Sequence, residues 1–218
     1  MCGRISQHYT WGEIDELYDL GRAARKIEAR YNISPTHTVD AVATSVTGNT
    51  LIPMRWGFIP SWWKSSAKQV PTNFFNLSAE NVAKNPLFRS EFKRNRCIIP
   101  TSGYFKWKET PDGKQPYFIG AADGGVLSIA GMWDARNDAD GALPSCTMII
   151  TTTNTGAVHH RMPVLLDRPD FAPWLTGEAG PELLKPADAD RLRMWPVSRR
   201  VNEPDGYDDP MLIDEIAA

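Results

Sequence analysis

The sequence predicts a single α+β domain whose centre is a curved, barrel-like antiparallel β core flanked by helices. Three observations lead there. From residue 97 onward, short apolar runs recur between Gly, Asp and Pro turns at the spacing of closed or strongly curved antiparallel sheets. Before that point helical spacing is confined to short stretches, and no repeat, linker or low-complexity tract divides the 218 residues, so 1–218 is read as one domain. An apolar content of 42% with 23% charged residues belongs to an ordinary globular chain rather than a disordered one.

In chain order, Thr10-Trp11-Gly12-Glu13 has the form of a capping box, and Ile14, Leu17 and Tyr18 follow at helical spacing, which predicts a short amphipathic helix fraying near Gly21. After a basic stretch, Tyr31-Asn32-Ile33-Ser34-Pro35-Thr36 reads as a strand entering a turn. Residues 39–46 alternate as a half-buried strand, Gly48-Asn49 turns the chain, and 51–56 forms the next strand. The loop from Trp56 to Lys64 holds three tryptophans, either as core or, for Trp62 and Trp63, as rings that stack on nucleic acid bases. Residues 76–82 lead into a helix that Pro86 interrupts before a second at 87–94. The five basic residues against one acidic over 84–96 form either a solvated face or one bank of a phosphate-binding groove. Strands follow at 97–100, 104–108, 116–120, 126–133 and 146–153, with Asp112-Gly113-Lys114 and Asp123-Gly124-Gly125 as hairpin candidates. A helical piece at 170–175, a helix over 181–193 and a strand over 194–201 complete the domain. The acidic tail 203–218 is expected to pack loosely.

The charge balance of −2 gives no global sign of nucleic-acid binding, which would have to rest on a local basic patch. Cys2, Cys97 and Cys146 are widely spaced, odd in number and lack a CxxC pair, so neither a disulfide framework nor a metal site is predicted; the usage fits a reducing cytoplasm. No signal peptide opens the chain and no apolar run reaches membrane-spanning length. Chemistry concentrates at Met1-Cys2-Gly3-Arg4. If Met1 is removed, Cys2 carries an α-amine and a thiol two carbons apart. Such a 1,2-aminothiol captures aldehydes: the amine forms a Schiff base and the thiol closes a five-membered thiazolidine. The α-amine titrates near about 7.7–8.0 and a thiol near about 8.5, so both are partly nucleophilic at neutral pH.

Met1-Cys2-Gly3-Arg4, Tyr31-Asn32-Ile33-Ser34-Pro35-Thr36, Trp56-Gly57-Phe58-Ile59-Pro60-Ser61-Trp62, residues 76–82, 96–108, Ala130-Gly131-Met132-Trp133 and His159-His160-Arg161-Met162-Pro163 together resemble the SOS-response-associated peptidase (SRAP) family, sensors of abasic sites in single-stranded DNA. The resemblance implies that Cys2, freed of Met1, forms a stable thiazolidine with the ring-opened sugar. It implies phosphate contacts for Arg4 and Arg161, a hydrogen bond near the lesion for Asn76, and proton transfer during ring opening for His159, a role that suits an imidazole. The partners it implies are single-stranded DNA or DNA junctions with abasic sites. No cofactor or metal is required, and the protein is expected to be monomeric, cytoplasmic, and nucleoid-associated when bound to DNA.

Two departures from the family pattern matter. Gly103-Tyr104-Phe105-Lys106-Trp107 places Lys106 where the family has a catalytic glutamate. Asn76-Leu77-Ser78-Ala79-Glu80 places Ser78 where the family has a phosphate-contacting arginine, and loss of one such contact weakens DNA binding and its salt dependence. Glu80 reads either as a functional residue or, the preferred reading, as one that caps and orients its loop. The leading expectation is a covalent abasic-site sensor, with SRAP-type removal of Met1 as its peptidase activity. The alternatives are a non-catalytic DNA- or protein-binding module, and an N-terminal-cysteine peptidase or amidohydrolase with His159 as base.

Overall fold

The computed structural model describes residues 2–21, 24–64, 72–138, 141–153, 160–203 and 206–217. Its centre is a closed ring of five strands: β3 (Thr38–Ser45), β4 (Gly48–Trp56), β6 (Arg96–Thr101), β9 (Leu127–Asp138) and β10 (Gly141–Thr152). β3 pairs with β4 and β6, β6 with β9, β9 with β10, and β10 returns to β4. All of these pairings are antiparallel except β4 with β10, where Ser145 lies opposite Arg55 in a parallel register. The barrel-like core expected from the sequence is therefore present, closed by one parallel seam.

Two short strands extend β10 beyond the ring. β5 (Asn76–Ser78) pairs with it in parallel and β11 (Arg161–Pro163) antiparallel, so that Ile150 has both Ser78 and Pro163 as register partners. A second sheet lies alongside, in the order β12 (Leu192–Pro196), β8 (Gly113–Ala121), β7 (Gly103–Thr110), β1 (Ile5–Gln7), β2 (Arg30–Ile33). Alternate residues of the barrel strands serve two different cores, as the two-residue period of a strand requires. Ala41, Ile99, Ile129 and Met148 join Ile5, Ile33 and Tyr104 of the second sheet. Val42, Ile98, Ala130 and Ile149 join the helices through Ile14, Phe92 and Trp174. Burial on both faces explains why 97–99 and 148–150 read as continuous apolar runs.

The helices are short: α1 (Trp11–Tyr18), α2 (Ala79–Val82), α3 (Arg89–Arg94) and α4 (Phe171–Thr176). The capping box of α1 forms as read from the sequence, Thr10 Oγ1 accepting from the Glu13 amide and the Glu13 carboxylate accepting from the Thr10 amide. Four expectations need correction. Residues 181–193 form no α-helix but two 3-10 turns, Pro181–Leu183 and Ala189–Arg191, because Pro186 removes a donor and pushes Lys185 out of the helical region. The turn at Asp123-Gly124-Gly125 joins no hairpin, since β8 and β9 lie in different sheets; Gly124, at φ +78°, only redirects the chain. Arg96 leaves the basic run for the core: its guanidinium stacks on Phe92 and Trp174 and donates to the carbonyls of Phe92 and Ala179. The tail is docked rather than loose. Leu212 is fully buried beside Phe105, Phe118 and Val201, and the Ile213 carbonyl accepts from Trp195 Nε1 at 2.8 Å.

Candidate active site at the amino terminus

Strand pairing delivers the first residues to the seam between the two sheets. Ile5 lies opposite Tyr104 in the β1–β7 register, so the residues before Ile5 run alongside Phe105 and Lys106, and the Phe105 amide donates to the Arg4 carbonyl at 3.0 Å. Cys2 ends there fully buried, among the apolar side chains shared by the barrel and the second sheet. From the barrel side, Asn76 on β5 donates from Nδ2 to the Cys2 carbonyl at 2.6 Å. From β7, the Lys106 side chain, itself 3% exposed, lies close enough to the Cys2 thiol to act on it electrostatically.

Burial pushes the Cys2 thiol above its ordinary range; Lys106, the amino-terminal charge and Arg161 act in the opposite direction without offsetting it. The Asn76 side chain has a second notable atom. Its Oδ1 is buried with no hydrogen-bond partner among the described residues. Leaving such an acceptor unmet costs about 1–3 kcal/mol, and exceptions of this kind concentrate where a ligand completes the network.

Arg161 and Glu80 form the opposite wall. Both residues sit just beyond strands that pair with β10 or at their ends, and the guanidinium donates two bonds of 3.0 Å to the Glu80 carboxylate and one of 3.3 Å to the Ile150 carbonyl. Burial acts to raise the Glu80 pKa, but hydrogen bonds from Ser78, its own backbone and Arg161 outweigh it, and the carboxyl is held below its ordinary range. Ser78, whose hydroxyl bonds Glu80, thus belongs to the group that fixes Arg161. Glu80 is a residue whose importance the sequence understated; its spacing from Asn76 was the available signal.

Arg4 is turned inward. It is almost fully buried, stacks 5.9 Å from the Trp107 ring, and donates to the Asn32 side chain and the Val201 carbonyl. Asn32 is a hub that the sequence did not single out: its Nδ2 donates to the carbonyls of Glu203 and Tyr207, while its own amide donates to Asp208. With Gly3, Lys106, Trp107 and Asn202, Arg4 lines a cavity of about 530 Å³. Trp62 and Trp63 lie apart, on the loop after β4, with ring centroids 6.1 Å apart and Trp62 49% exposed. That loop is anchored by the Ile59 amide on Ser145 Oγ and the Ser61 amide on Asp134. Met1 and His159 lie outside the described residues.

The structure therefore brings together Cys2, Asn76, Lys106 and Arg161, with Ser78 and Arg4 in supporting positions. Comparison with known proteins bears on the fold and the family. An X-ray structure of a protein from Bacteroides thetaiotaomicron shares the fold, with a TM-score of 0.84 at 24% identity over 99% of this chain and 100% of that one. A Bacillus subtilis protein named abasic site processing protein YoqW is 31% identical over 94% of this chain and 95% of its own length. The Escherichia coli protein named abasic site processing protein YedK is 29% identical over 92% and 94%. The family model described as SOS response associated peptidase (SRAP) matches residues 1–204, so the chain belongs to that family.

Proposed function

We propose that this protein processes abasic sites in DNA by covalent capture at Cys2 once Met1 has been removed. The observation that carries the reading is that the buried Cys2 is held by Asn76 from β5 and lies close enough to Arg161 on β11 to feel its charge, in a family whose relatives bear the abasic-site name. The ring-opened sugar presents an aldehyde. The Cys2 α-amine condenses with it and releases water, and the thiol adds across the C=N bond to close the thiazolidine, its proton passing to nitrogen.

The other residues orient that sequence. The Asn76 amide holds the Cys2 carbonyl and offers Oδ1 as acceptor to a sugar hydroxyl. Arg161, rigidly paired with Glu80, places positive charge at the wall where a backbone phosphate would lie. His159 is the residue we assign to proton transfer at the sugar. The Trp62 and Trp63 rings are the surface on which flanking bases of single-stranded DNA or of a junction stack.

The test is incubation of Met1-processed protein, wild type and Cys2→Ala, with single-stranded DNA carrying one abasic site. A heat-stable conjugate with the mass of a thiazolidine adduct, present only in the wild type, is expected on a denaturing gel and by intact mass. Absence of any conjugate from folded wild type lacking Met1 would overturn the reading.

A further inference from the structure

Lys106 is a primary amine in a place where a carboxylate would serve the capture reaction. It is almost fully buried on β7, whose pairing with β1 sets it alongside the residues that precede Ile5. It also lines the cavity of about 530 Å³, together with Gly3, two further cations, Arg4 and Lys114, the Trp107 ring and the Glu109 carboxylate. Gly3, the neighbour of Cys2, lines the same cavity, so an aldehyde brought there to the amino terminus is within reach of this amine. Amines condense with carbonyl compounds, and lysines desolvated in a pocket or set beside another cation are those that proteins use to form Schiff bases.

We infer that Lys106 is a second aldehyde-reactive amine of this site, which takes the ring-opened sugar as an iminium and hands it to the Cys2 α-amine. The inference rests on the capture reading given above. In the first step the ε-ammonium and the aldehyde give an iminium and one water, with charge conserved. The neutral α-amine then adds to the iminium carbon and expels the neutral Lys106 amine, transferring the C=N bond. Addition of the thiol forms the C–S bond and releases one proton, which the Lys106 amine takes up. The net reaction is aldehyde plus aminothiol to thiazolidine plus water, with Lys106 regenerated and no oxidant or reductant consumed. On this route a lysine replaces acid–base assistance by covalent catalysis, and Lys106 is a catalytic residue.

The experiment is reductive trapping. Met1-processed wild type and Cys2→Ser are mixed with a single-stranded oligonucleotide bearing one abasic site, with and without sodium cyanoborohydride, and the adducts are located by peptide mass spectrometry. With the reductant, a secondary-amine adduct on Lys106 is expected in the wild type, several-fold more abundant in Cys2→Ser, where ring closure no longer drains the iminium. Lys106→Arg, which keeps the cation without a nucleophilic amine, is expected to lack it. Trapping confined to the α-amine in wild type and in Cys2→Ser would overturn the inference, and this result needs no Lys106 variant to fold. The Cys2 conjugate formed without reductant is scored separately: its presence without a Lys106 adduct rejects only this inference, and its absence alongside a Lys106 adduct rejects only the thiazolidine reading.

Discussion

Glu80 shows how a single side chain fixes the electrostatics of this site. Its two bonds to Arg161 orient the guanidinium beside the Ile150 carbonyl, and Ser78 steadies the carboxylate in turn. The folded-state carboxyl lies below its ordinary range, so its contribution to stability is present above the unfolded-state value of about 4.3 and is lost as pH falls through the lower folded-state value. Because the pair is partly solvated, that contribution is under about 1 kcal/mol. Glu80→Gln is expected to be less stable than wild type at pH 7, with the gap closing as denaturation is repeated at successively lower pH down to about 3. A gap that widened on acidification would contradict the assignment. Sequence reading found Cys2, Asn76 and Arg161 because each stands in a recognisable run of neighbours. It did not find the Asn32 hub, because the groups Asn32 joins, Arg4 and the carbonyls of Glu203 and Tyr207, are brought together only by the finished fold.

At the scale of the element, local chemistry succeeded where local interactions decide. The α1 capping box is such a case, its signal contained in four residues. Thr10→Ala removes a side-chain acceptor for the helix's first turn and is expected to cost about 1 kcal/mol. For a chain of this length that lowers the melting temperature by about 2–4 °C, measurable by circular dichroism. An unchanged midpoint would mean that packing of Ile14 and Tyr18 alone sets the helix. The hairpin joining β7 and β8 was legible for the same reason, with Thr110 opposite Gly113 at the turn. The Asp123-Gly124-Gly125 turn misled because a turn signal carries no information about which sheet receives the next strand. The pairing of β5, β4 and β11 with β10 was equally hidden, since parallel and long-range registers leave no local mark in the sequence.

For the molecule as a whole, the C-terminal residues are tied to the core through Leu212. Leu212 is sealed beneath Phe105 and Phe118, and Arg200 pairs with Asp209 while stacking on Tyr207. Composition suggested a loose tail because Asp and Pro dominate it, but one buried leucine and a few ordered carboxylates are enough to dock it. Leu212→Ala is expected to destabilise the protein by about 2–5 kcal/mol, the usual cost of emptying a buried leucine site, as read by chemical denaturation. A change near zero would restore the loose tail.

The contact between Arg4 and Val201 spans 197 positions of the chain. The amino end therefore cannot take up its final place until the last part of the protein has been made. At a synthesis rate of about 5–20 residues per second, some 10–40 s separate the appearance of Cys2 from that of the residues that secure Arg4. During this interval the amino end lacks the carbonyl that fixes Arg4 and, for most of it, the apolar side chains of the barrel that bury Cys2. A chain arrested short of residue 201 is therefore expected to leave its first residues unanchored.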